Sequence, residues 1–148
     1  MWKDRGAGIV GKINRRGKYP MKLKLLLSIS AIYMALLGLG FIFAPRAIGI
    51  GAVPTDASAA LIAYLRVFGS TFIAIALLNW MARNAEPSTA LNAIILANIV
   101  GFGSAGLLDV WGLFSGARQL AVVFAAVHLV IALAFVWTGR ASVSAKAH

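Results

Sequence analysis

Five side chains sit in surroundings apolar enough to give them chemical meaning: Arg66, Asp109, Tyr64, His128 and Asn98. An arginine several residues inside a hydrophobic run is costly unless it snorkels, pairs or faces a polar cavity. About seventeen residues separate Arg66 from Arg83, which sets Arg66 roughly 25 Å along a helix from that end. Asp109 is the chain's one intramembrane acid, and antiparallel geometry puts it on the same side of the bilayer as Arg66. Glu86 to Asp109 covers roughly 34 Å of helix against 25 Å for Arg83 to Arg66, an axial mismatch of about 9 Å. The plainer reading has Arg66 snorkelling to the outer interface and Asp109 capping a helix end. The sharper one is an ion pair lining a small outer-leaflet pocket with Tyr64 beside it.

His128 and Asn98 form a second constellation, because each lies near the middle of its hydrophobic run. An imidazole and an amide at that depth seek partners, and interhelical hydrogen bonds of this kind contribute about 0.6 to 2 kcal/mol. Packing is the first reading, and a proton-accepting or ligand-binding His128 is the functional alternative. One histidine without a nearby acid or second histidine gives little reason to expect a metal. Asn98 and Asp109, eleven residues apart, share a helix face. The same segment carries Ala93, Ala97, Gly101 and Ala105 at every fourth position, a ridge that permits close approach of another helix. It is expected at the centre of the bundle. Residues 101–106, GFGSAG, match the glycine pattern of dinucleotide sites, but no strand precedes them. No nucleophile–base pair or carboxylate dyad is visible, and no residue pattern calls for a cofactor.

The elements that position these residues are hydrophobic segments of about 20 residues, long enough at about 1.5 Å per residue to cross a bilayer. The first runs from about Leu25 to Ala44, closed by Pro45 and Arg46; it is too long for a signal-peptide core, and Pro45 disfavours cleavage after Ala44. RAIGIGAVPTDASAA follows as a loop suited to the interface. The second segment spans about Ala59 to Ala82. Pro87 suits the first turn of the third, which continues to about Leu113. The fourth extends from about Gln119 to Trp137. Short connections make neighbouring spans antiparallel. The expected architecture is all-α: a polytopic membrane protein with an antiparallel four-helix bundle over residues 21–140, a basic, disordered extension at 1–20 and a short tail at 141–148.

Composition agrees: 61% of residues are hydrophobic, 12% are charged, and mean hydropathy is +0.87. The absence of cysteine excludes disulfides, thiolate metal sites and cysteine nucleophiles. The net charge of +10 invites a nucleic-acid reading, but Lys3, Arg5, Lys12, Arg15, Arg16, Lys18, Lys22 and Lys24 all precede the first span. That placement fits a cytoplasmic flank beside anionic headgroups, with no nucleic acid involved. Arg83, Arg140 and Lys146 add to the same side, and only Arg46 and Arg118 face them. Both termini are therefore expected in the cytoplasm and the chain in the inner membrane. Trp80 and Trp137 at inner ends and Trp111 at an outer end suit the headgroup level.

Taken together, LLGLGFIFAPRAIGI, AYLRVFGSTFIAIALLNWMAR and LLDVWGLFSG resemble a broad group of small uncharacterised bacterial four-helix membrane proteins, similar in outline to DoxX-like proteins. The shared pattern is Gly and Phe before a Pro ending the first span, Arg-x-Phe-Gly in the second, and Trp-x-Ala-Arg closing it. It covers about residues 21–140 and implies a compact bundle of unknown activity in which Arg66 matters most. Three functions compete. The first is a non-catalytic membrane component that oligomerises or packs with a partner subunit. The second is a small carrier or binder of a lipophilic or anionic ligand in an outer-leaflet pocket. A membrane enzyme comes third, given the missing dyads and triads.

Overall fold

The computed structural model describes residues 21–49, 51–116 and 121–144. The expected extension at 1–20 and the last residues of the tail, 145–148, lie outside the described residues. Five helices follow in order: α1 (Met21–Phe43), the short α2 (Pro45–Ile48), α3 (Ala59–Ala82), α4 (Thr89–Phe114) and α5 (Ala121–Ser144). The four long ones are each apolar and long enough to cross a membrane. In no span is more than 33% of the apolar stretch buried. Leu36, Val67, Leu108 and Leu133 are all more than half exposed. An outward-facing apolar surface of this extent has lipid as its solvent, and the chain is a multi-pass membrane protein.

Helix ends follow local chemistry. Ser58 opens α3 and Ser88 opens α4, each hydroxyl accepting the backbone N–H three residues on at 3.2 Å. Pro87 therefore stands outside α4 rather than in its first turn, because the serine after it supplies the acceptor that a proline side chain lacks. Gly116, at φ 68°, ends α4 in the left-handed conformation that favours glycine. The segment expected to be a simple loop after Pro45 begins with α2, whose Ile48 folds back over Gly40 where a side chain on Gly40 would collide with it. The last helix runs past Trp137 to Ser144.

All adjacent helices are antiparallel. α1 packs closely along α3, and α4 along α5; the two pairs meet over fewer residues, α1 against α5 and α3 against α4. We call the end with Met21, Ser144 and the 83–88 connection proximal, and the end with α2 and the α4–α5 turn distal. Gly38 and Gly69 let α1 and α3 touch backbone to backbone, since a Cβ on either would stand 2.8 Å from the other's carbonyl oxygen. The core is Leu23 and Leu27 of α1, Leu91 and Phe102 of α4 and Phe135 of α5, with Phe102 and Phe135 stacked at 6.3 Å. α4 turns Leu91, Ile95, Asn98, Phe102, Gly106 and Asp109 inward. The small-residue ridge of α4, expected to bring another span close and to make this helix the centre of the bundle, packs against no neighbour over most of its length: Ala93, Ala97 and Gly101 are exposed, Ala105 is half-buried, and a Cβ at Gly101 would meet nothing. The core of so small a bundle needs the volume of Leu91, Ile95 and Phe102, which lie on a different face.

Candidate functional site

The inward face of α4 carries two polar residues, and each finds a partner on a different neighbour. Toward the proximal end, Asn79 of α3 and Asn98 of α4 exchange hydrogen bonds: Asn79 Nδ2 donates to Asn98 Oδ1 at 2.9 Å, and Asn98 Nδ2 donates to Asn79 Oδ1 at 2.8 Å. The second Asn98 N–H goes to the Ile94 carbonyl at 2.8 Å. Asn79 is wholly buried and Asn98 nearly so. This reciprocal pair clamps α3 to α4 where water is absent to serve either amide.

Toward the distal end, Asp109 of α4 meets His128 of α5. Asp109 lies five residues before the end of α4 and His128 seven after the start of α5, so the antiparallel turn levels them to about 3 Å of helix rise. His128 Nδ1 stands 2.8 Å from Asp109 Oδ2, and His128 Nε2 stands 2.9 Å from the Tyr33 hydroxyl of α1. A carboxylate only accepts, so Nδ1 carries a proton, and Nε2 can accept the phenolic O–H. The Tyr33 ring meets the imidazole edge-on at 5.7 Å, and Phe102 and Phe124 flank it at 6.0 and 6.4 Å. Three helices are thus joined through two hydrogen bonds along which a proton can pass. The residual exposures of the pair, 12% for the His128 side chain and 9% for that of Asp109, come from a cavity beside them.

That cavity has a volume of about 420 Å³ and lies between the two helix pairs. α1 lines it with Met34, Leu37 and Phe41, α3 with Phe68, Phe72 and Ile75, and Ile48 of α2 closes its distal side. The polar side chains that the described residues place on its wall are Ser104, Asp109 and His128. Gly101 and Ala105, two of the ridge residues, stand at its α4 edge beside the exposed Leu108. Its size and mostly apolar lining with a few convergent polar groups are those of a small-molecule pocket.

The five residues singled out from the sequence therefore divide. Asp109 and His128 come together, which corrects the expectation that His128 has no acid nearby and that Asp109 serves a helix end. Asn98 lies at another level and is bonded to Asn79, so it does not join His128. Arg66 and Tyr64 are on the exposed distal part of α3, Tyr64 at 77%, and neither lines the cavity. Among the described residues, Arg66 makes no ion pair with Asp109. Tyr33 and Asn79 were missed. For Tyr33 the available signal was a phenol ten residues from the end of its span, deeper than an interfacial tyrosine. Among the described residues no three His, Cys, Asp or Glu side chains gather as a metal site. Comparison with protein-family profiles, curated proteins and solved structures finds no match to this chain.

Proposed function

We propose that the protein is a small binder or carrier of a lipophilic ligand. The observation that carries this reading is the 420 Å³ cavity, whose otherwise apolar wall bears the Asp109–His128 pair. Buried ionisable groups within a membrane are expensive, and their usual occupation is a substrate path, a ligand or a proton. An anionic ligand has less support, because Arg66, the cation expected to hold it, is not among the lining residues. The positive-inside asymmetry of the sequence supports an inner-membrane location with both termini in the cytoplasm, so that the cavity lies in the outer half of the bilayer.

The test is gentle extraction of wild type, Arg66→Ala and Ala105→Trp from native membranes, followed by mass measurement of the intact species. The reading expects a small co-purifying lipophile with wild type and Arg66→Ala, lost from Ala105→Trp because the indole fills the cavity's edge. A lipophile retained by Ala105→Trp, or absent from all three, refutes it.

A second reading, a non-catalytic component packing with a second copy or a partner subunit, draws on the open face of Ala93, Ala97 and Gly101. The chain has no cysteine, so a single cysteine at Ala97 reports it directly. Disulfide cross-linking in native membranes to a species of defined mass supports this reading, and a cysteine that stays monomeric under oxidation opposes it.

A further inference from the structure

A second hollow, a groove of about 350 Å³, runs along the seam of α1 and α3 and shares no lining residue with the cavity. The crossing of Gly38 and Gly69 sets the register of this seam. Seven residues back along α1 from Gly38 is Ala31, and seven forward along α3 from Gly69 is Ala76; these two buried methyl side chains are the groove's floor. Ile32 and Leu77, both more than half exposed, are its walls, and Trp80 bounds its proximal end. The same count carried to fourteen residues reaches Lys24 on α1 and Arg83 at the end of α3, each about 21 Å of rise from the crossing and so level with one another. Seven residues are nearly two full turns, so Lys24 stands on the side of α1 that carries Ala31, and Arg83 on the side of α3 that carries Ala76. Two cations therefore flank the proximal end of an apolar trough.

The local contacts hold one of these cations in position. The Arg83 guanidinium lies over the Trp80 ring, 3.4 Å from its centroid, and donates one N–H to the Trp80 carbonyl at 2.7 Å. A guanidinium has five N–H donors, so the stacked group keeps others for an acceptor such as phosphate. Among the described residues neither Lys24 nor Arg83 makes an ion pair, with Glu86 or any other acid. We propose that the groove is a binding site for an anionic phospholipid, with its phosphate between Lys24 and Arg83 and one acyl chain lying over Ala31 and Ala76. A zwitterionic lipid has the same chain, but its own cation offsets the attraction of the two basic side chains. A second copy in the same orientation would bring its own Lys24 and Arg83 to the same level, and like charges oppose it. On the positive-inside reading the lipid belongs to the cytoplasmic leaflet. The groove and the cavity have no residue in common, so this proposal and the binding reading above stand or fall separately.

A lipid in a groove open to the bilayer exchanges with it, so the test is made in the membrane rather than after extraction. The full chain is placed in phosphatidylcholine vesicles with a trace of photoreactive phosphatidylglycerol or photoreactive phosphatidylcholine, the two probes sharing one diazirine-bearing acyl chain. Labelled peptides are quantified by mass spectrometry at the groove, residues 31–35 and 73–80, and at Leu96, an exposed residue of α4 at a similar distance from the proximal end. The ratio of phosphatidylglycerol to phosphatidylcholine labelling is expected to be at least about tenfold higher at the groove than at Leu96, equivalent to about 1.4 kcal/mol. Lys24→Gln combined with Arg83→Gln, which leaves the basic residues before Met21 in place, brings the two ratios to within about threefold. Equal labelling by the two probes overturns the proposal. A preference for phosphatidylglycerol that is the same at Leu96 overturns it too, tracing the effect to the basic N-terminus. Groove labelling below that at Leu96 with both probes overturns it in favour of a second copy covering the groove. An unchanged ratio in the double variant overturns the assignment to Lys24 and Arg83. The wild-type ratios decide even where the double variant does not accumulate.

Discussion

A methyl group added at Gly38 meets the Gly69 carbonyl oxygen at 2.8 Å, and one added at Gly69 meets the Gly38 carbonyl at the same distance. Ile73, also in the way of the first, can rotate, but neither backbone can. Ordinary contact begins near 3.4 Å, so either alanine drives α1 and α3 apart by about 3.4 − 2.8 = 0.6 Å at their crossing. A gap of that size forfeits a quarter or more of the dispersion energy around it, and overpacking of this kind costs about 1–3 kcal/mol. The displacement also reaches the cavity, because Phe41 and Phe72, on either side of the crossing, touch at 5.8 Å and both line it. Gly38→Ala and Gly69→Ala are each expected to lower stability by about 1–3 kcal/mol, measured by reversible unfolding in mixed micelles or by steric trapping. The double variant should lose at least about 0.5 kcal/mol less than the sum, since the first methyl opens the space the second needs. Gly101→Ala, with nothing to meet, should be neutral or stabilising by up to about 1 kcal/mol. Single losses below about 0.5 kcal/mol, or strict additivity, would falsify the close crossing.

Three further outcomes follow from the polar contacts. Asn79→Leu and Asn98→Leu each strand a buried amide and should cost about 1–3 kcal/mol, whereas the double variant should cost less than either; the same unfolding assay reads all three. Tyr33→Phe removes the phenolic link to His128 and should cost about 0.6–1.7 kcal/mol; an NMR spectrum of the imidazole in which its Nε2 resonance does not shift would speak against the bond. Arg66→Ala should change stability by less than about 0.5 kcal/mol, because Arg66 is exposed on the distal part of α3; a large loss in the unfolding assay would place it in a contact.

The bounds of α3 were legible to the residue, because polar side chains and a serine cap flank a run that is apolar throughout. The spans and their antiparallel order follow from hydropathy and connection length alone. The helix faces were not legible in the same way. When the solvent is lipid, apolar residues point inward and outward alike, so no periodicity separates Ala93 and Gly101 from Ile95 and Phe102. The site was half legible. Asp109 and His128 stood out as residues, but judging depth from the midpoint of each run matched His128 with Asn98. Counting outward from the short α4–α5 turn finds the Asp109 partner, since both lie within seven residues of it. Asn79 resists even that count: it lies three residues from the end of α3 while Asn98 lies nine into α4, so their meeting depends on an axial offset between helices that the sequence does not encode locally.

The close packing of α1 on α3 and of α4 on α5 has a consequence for biogenesis. Each pair is contiguous in the chain, so the first hairpin can insert and settle in the bilayer while the second is still being synthesised. The seam between hairpins is the last surface to form, and Asn79–Asn98 and Tyr33–His128 are its latches. Until they engage, each hairpin leaves polar side chains facing hydrocarbon, which penalises the separated halves and drives their docking. The cavity belongs to neither hairpin alone, and it comes into being only when that docking is complete.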